Sequence, residues 1–139
     1  MMLFVALSTG ACGVKQKTTP GASTTAAMSS LADKQWKLVE LNGKPVSAGV
    51  VFILMKPDGT VSGNLGCNTF AGSFTLQEGN RITFSQLVNT QKMCLDMSVE
   101  TEMLRVLQSA DNYNLNEKQL ILNRARMAPL ARFEIIPVK

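Results

Sequence analysis

The chain has 139 residues, a formal charge of +4 and 45% hydrophobic content, which suits one ordinary domain and not two. It contains no histidine, removing the usual general base, the usual partner of a Ser or Cys nucleophile and the commonest metal ligand. Basic residues are scattered, and only Arg124, Arg126 and Arg132 approach a cluster. A solvated strand edge accounts for those three better than a nucleic-acid face, which interleaves cations with aromatics.

Met1 to Ala11 reads MMLFVALSTGA, an apolar stretch that turns small and polar just before Cys12, as a signal peptide does at its cleavage point. It falls well short of the ~20 apolar residues that cross a bilayer. Thr9-Gly10-Ala11-Cys12 resembles a lipobox. That resemblance implies a signal over residues 1–12, with acyl chains such as palmitate attached at Cys12. It also implies a bacterial cell-envelope location facing the periplasm, with the outer membrane favoured over the inner. The alternative is a frayed N-terminus that happens to carry a buried-type cysteine. Residues 13–30, GVKQKTTPGASTTAAMSS, have little to bury and read as a flexible tether. A coil of that length holds a domain roughly 20–25 Å from its anchor.

Residues 31–139 carry the regular pattern. Gln35 to Leu41 is strand-like and ends at Asn42-Gly43, a turn signal. Val50 to Met55 is a continuous apolar run, Pro57-Asp58-Gly59 makes a tight turn, and Thr60 to Leu65 pairs back. Phe70 to Leu76 and Arg81 to Val88 flank Glu78-Gly79-Asn80 as a second hairpin. From Met97 to Ala110 the period changes: Val99, Met103, Val106, Leu107 and Ala110 share one helical face. Asp96 stands where an N-cap belongs. Strands return at Asn112–Asn116, Gln119–Asn123 and Leu130–Val138. The order predicts a mainly β (α+β) fold: a curled antiparallel sheet or partly open barrel of about 7–8 strands with one helix.

The densest cluster of special residues is Gly63-Asn64-Leu65-Gly66-Cys67-Asn68, followed by Phe70 and Gly72. Glycines inside strand territory mark bulges or close backbone approach, Asn68 suits capping of free backbone groups in a turn, and Cys67 reads as buried. A strand follows rather than a helix, so a phosphate-cradling loop is excluded. With Trp36, Leu38 and Asn42-Gly43 before it, and Thr90 four residues ahead of Cys94 after it, the cluster resembles the META domain of HslJ-like heat-shock lipoproteins. The resemblance spans about residues 35–136, and a family glutamate in the helix corresponds to Glu100 or Glu102. It implies a compact antiparallel domain, envelope-located, without known catalytic residues. Relatives are associated with heat or antibiotic stress in bacteria, and in some protozoa with motility.

Three cysteines in an exported chain close arithmetically if Cys12 is lipidated and Cys67 pairs with Cys94; two buried free thiols are the alternative. A zinc site lacks ligands, and neither a metal nor a cofactor is expected. No catalytic residue emerges either. Glu100 and Glu102 diverge on a helix, Asp58 belongs to its turn, and Ser62, Ser73 and Ser85 have no base in any recognisable motif. Met55, Met93, Met97 and Met103 read as core filler, with an apolar cleft between sheet and helix as the competing reading. The expected function is a stress-related, monomeric binding or interaction module on a lipid-anchored domain, with the membrane and an envelope protein as partners and no nucleic acid. The alternative is a carrier of a lipid or other apolar ligand.

Overall fold

The structure is a computed structural model; it describes residues 22–46, 50–126 and 129–136. Cys12, the lipobox-like stretch before it and the first part of the tether lie outside these residues. Among the described residues, nine strands and two helices follow one another in the order α1 (Ala22–Leu31), β1 (Lys34–Leu41), β2 (Lys44–Pro45), β3 (Phe52–Met55), β4 (Thr60–Asn64), β5 (Thr69–Gln77), β6 (Arg81–Asn89), α2 (Ser98–Ser109), β7 (Asn112–Leu115), β8 (Gln119–Asn123) and β9 (Ala131–Ile136).

All strand pairs are antiparallel neighbours in sequence, except that β1 also meets β3 along one edge and β9 along the other. The β1–β9 ladder, from Gln35 opposite Ile136 to Leu41 opposite Ala131, brings the first and last strands together. The sheet is therefore ring-like. It is not a closed barrel, because between β6 and β7 the ladder shrinks to Arg81 opposite Asn112.

Period-two alternation sends one face of each strand inward. Trp36, Leu38, Ile53, Met55, Val61, Phe70, Phe74, Ile82, Phe84, Leu120, Leu122 and Phe133 fill the interior. Two strands, β1 and β6, break the alternation at bulges. In β1 the register shifts between Leu38 and Glu40, so Leu41 comes inward three residues after Leu38 instead of two. In β6 the shift opposite Ala71 and Ser73 places Gln86 at φ +54° and turns Leu87 toward the core after Phe84. An extra residue in one strand has this effect: it re-aims every side chain beyond it.

The helices cover opposite ends of β4. Helix α1 borders the β3–β4 turn, where Met28 lines a groove with Pro57, Gly59 and Phe74. Helix α2 is bonded to the β4–β5 turn at the other end of that strand. Its inward face carries Met103, Val106 and Leu107, with Ala110 just beyond the last turn. The expected face is thus observed, and the helix begins one residue later than the pattern suggests. Met97 is the N-cap by backbone position and makes no side-chain cap; Asp96, one residue earlier, accepts from the Ser98 N–H at 2.9 Å and from the Ser98 hydroxyl. Those bonds hold the Asp96 carboxyl below its ordinary value.

Three features depart from expectation. Residues 22–30, read as part of a flexible tether, lie in α1. Alanines at 26 and 27 favour the helix, and Leu31 is fully buried at its end, where the Trp36 Nε1–H donates to the Leu31 carbonyl at 3.1 Å. Ser29 and Ser30, ordinarily competitors of helix, donate back to the Thr25 and Ala26 carbonyls. The short β2, folded back on β1 after Asn42-Gly43, raises the strand number to nine. Arg132 is not at an edge: it lies half-buried on β9 between Glu40 of β1 and Ile121 of β8.

Gly63 sits between Ile53 on β3 and Phe70 on β5. A Cβ there would overlap the Phe52 carbonyl oxygen and come within 2.9 Å of Phe70 Cε1. Gly63→Ala should therefore destabilise the domain by about 3 kcal/mol, the upper range for overpacking, read as a lower urea midpoint at unchanged slope.

Stability should also fall with acid. The Asp96, Asp58 and Asp111 carboxyls are each held below the ordinary 3.8 by local hydrogen bonds. A group depressed on folding contributes stability above its unfolded value and loses it as pH drops through the folded one. Unfolding free energy should accordingly decline below about pH 4. Asp96→Ser, which keeps a cap without a titrating charge, should make that decline shallower.

Candidate functional site

The special residues of the sequence converge at the end of the ring covered by α2. The β4–β5 turn begins with the Asn64 side chain accepting from the Gly66 N–H at 2.7 Å, and Gly66 takes φ +113°, a conformation that side chains disfavour. The Leu65 N–H then donates to the Asn68 carbonyl at 2.8 Å, which tightens the loop and drives Asn68 inward. Asn68 is 1% exposed.

Its amide is satisfied at all four positions. The oxygen accepts from the Lys92 N–H at 2.7 Å and the Thr90 hydroxyl at 2.8 Å. The nitrogen donates to the Lys92 carbonyl at 3.0 Å and to Glu100 Oε1 at 2.7 Å. The Asn68 backbone N–H completes the cluster by donating to Glu100 Oε2 at 3.0 Å. Glu100, in the first turn of α2 and 4% exposed, is thus gripped at both oxygens by one residue. Carboxylates are favoured in that turn by the helix dipole, and a buried one needs hydrogen bonds of this charge-assisted kind.

Asn68 therefore ties three segments together: its own turn, the segment leaving β6, and the start of α2. A disulfide between Cys67 and Cys94 makes the same connection covalently, one residue away. Cys67 was expected to be buried; it is half-buried, and Cys94 is exposed, because the segment from Thr90 to Met97 runs over the surface without regular structure. Gly72 lies opposite the β6 bulge, where a Cβ would meet Leu87 Cδ2 at 2.7 Å and the Ser85 carbonyl at 2.9 Å.

Of the two helix glutamates, Glu100 is the one that joins this cluster. Glu102 faces outward, accepting from Asn42 Nδ2 at 3.0 Å and pairing with Arg105. Asp58 serves its turn, as expected, by accepting from the Thr60 N–H and hydroxyl. The four methionines separate. Met55 and Met103 are sealed in the core, Met97 is half-buried, and Met93 is 88% exposed. The surface grooves at Thr25–Leu76, Leu41–Glu102, Thr69–Thr90 and Asn116–Ile135 draw no lining from Met93, Met97 or Met103. Sequence reasoning missed the exposed pair Met93 and Leu95 flanking Cys94; two large apolar residues inside a segment without helix or strand periodicity were the signal available.

The pattern of the META domain matches residues 29–135. The chain belongs to the META domain family. No curated protein sequence matches it. Solved structures share the META-like fold at low identity. A protein solved by NMR is 23% identical with a TM-score of 0.64, covering 78% of this chain and 93% of its own. One from Burkholderia xenovorans is 22% identical with a TM-score of 0.63, covering 80% and 87%. A DUF4847 family protein from Bacteroides vulgatus is 16% identical with a TM-score of 0.59, covering 75% and 93%.

The residues of this junction divide the load between covalent and hydrogen-bonded ties. Replacing Cys67 and Cys94 by serine should cost roughly 3.5 kcal/mol for a loop of this length. The Asn68 bonds remain, so the variant should keep the wild-type far-UV spectrum and unfold cooperatively at a lower midpoint.

Proposed function

We propose that this META domain is a non-catalytic, stress-related interaction module, held at the bacterial envelope by a lipid on Cys12. The observation that carries the reading is the use made of the signature. Asn68, Thr90 and Glu100 spend their polar groups on one another and on the Lys92 backbone. The cluster with the most chemistry in the sequence is thus a structural latch, which leaves the surface around it to meet a partner. The lipobox-like Thr9–Cys12 and the polar segment behind it support the anchor, and an envelope compartment suits a disulfide-bonded domain. An apolar-ligand carrier is the lesser reading, since the methionines that suggested a cleft do not converge.

Metabolic labelling with a fatty acid tests the anchor: label should appear on the wild-type chain and vanish in Cys12→Ala. Label that persists in the variant contradicts the anchor. In-cell crosslinking from a photoreactive residue at Lys92 should capture a discrete envelope protein. Native mass spectrometry that instead finds one apolar molecule per chain, retained through mild detergents, would favour the carrier.

A further inference from the structure

The surface segment between β6 and α2 is built unlike the rest of the domain. Met93 is 88% exposed and Leu95 is fully exposed, more than Val50 or Val88, the other large apolar residues that face solvent among the described residues. They flank Cys94 on both sides, and Cys94 is itself exposed while its partner Cys67 is half-buried. Large apolar side chains held in water mark contact surfaces when they cluster, and methionine adapts to varied partners. Here the pair brackets a reactive bond, and that bond specifies the partner's chemistry.

We propose that Met93-Cys94-Leu95 is the docking and exchange site for a thiol–disulfide oxidoreductase with a Cys-X-X-Cys dithiol beside an apolar groove. The partner's thiolate attacks Sγ of Cys94, the more exposed of the two cysteines. A bond forms between them, the Cys67–Cys94 bond breaks, and Cys67 leaves as a thiolate that takes up a proton. The partner's second thiol gives up its proton and attacks the mixed disulfide at the partner's own sulfur, releasing Cys94 as a thiolate that is then protonated. Two electrons pass from the partner's dithiol, which leaves as a disulfide, to the Cys67–Cys94 pair. The reverse sequence installs the bond, and the partner's potential sets the direction.

The architecture around the bond suits this role. Cys67 Sγ lies 3.5 Å from the Lys92 carbonyl oxygen, which can accept from the Cys67 thiol once the departing thiolate has taken up its proton. The Lys92 N–H and carbonyl stay bonded to Asn68, and Ser98 stays bonded to Asp96. Opening the disulfide therefore frees the stretch between Lys92 and Asp96 while the latch holds its entry and the cap holds the start of α2. A freed stretch can take the extended pose in which peptides enter grooves. None of this depends on whether Cys12 carries lipid.

The test uses the full oxidised chain and thioredoxin whose second active-site cysteine is changed to serine, so that the mixed disulfide accumulates. Peptide mapping should place the adduct on Cys94. Met93→Ser/Leu95→Ser should trap at least tenfold more slowly, while its reduction by glutathione stays within twofold of wild type and its melting temperature is unchanged. An adduct on Cys67, or none under conditions where glutathione does reduce the bond, overturns the proposal. So does an equal loss of rate toward both thiols, which would mean the pair only shapes the bond. An unchanged trapping rate also overturns it, and is the result expected if the apolar pair serves a lipid surface or a second copy of the chain.

Discussion

A carboxylate withdrawn from water needs donors aimed at both oxygens, and Glu100 finds two on a single residue, Asn68. That arrangement constrains much else. Asn68 can present its backbone N–H and its amide to the same carboxylate only if its turn is pulled inward, which the Leu65–Asn68 bond and the positive φ of Gly66 accomplish. Its oxygen then has to find donors away from solvent, and the Thr90 hydroxyl and Lys92 N–H supply them. A network of this kind stabilises when complete and costs heavily when one member is missing.

The latch matters because the ring it closes is not sealed by strand pairing. Between β6 and β7 only Arg81 and Asn112 are in register, and the chain crosses that seam through α2. Helix α2 can pack Met103, Val106 and Leu107 into the core only while its first turn stays docked beneath the β4–β5 turn. The disulfide lies on the solvent side of the same junction, so covalent and hydrogen-bonded ties act in parallel. At the other end of β4 the cover is simpler: Leu31 is fully buried, with its carbonyl bonded to the Trp36 indole.

Much of this was legible in the sequence. Apart from the two-residue β2, strands from Gln35 onward announced themselves by apolar runs and by Asn-Gly or Pro-Asp-Gly turns, because those signals act locally. Helix α2 was legible from Val99, Met103, Val106 and Leu107 for the same reason. Helix α1 was not: its sequence, ASTTAAMSSL, has no amphipathic stripe, and its docking depends on Met28, Leu31 and a tryptophan beyond its end. The two bulges were hidden because each depends on a partner strand. Cys67 and Asn68 stood out as a motif, but their neighbours in sequence do not reveal that Glu100, 32 residues on from Asn68, fills the other half. Burial of Cys67 was overestimated for a related reason, since its bonded partner lies on an exposed segment.

The central claim is that Asn68 and Glu100 act as one unit, and a double-mutant cycle measures this directly. Unfolding free energies of wild type, Asn68→Ala, Glu100→Ala and the double variant, all with the disulfide intact, yield the coupling between the two side chains. A coupling of about 2 kcal/mol or more is expected, because either single change strands a buried polar partner. Additivity within about 0.5 kcal/mol, the behaviour of independent sites, would contradict it.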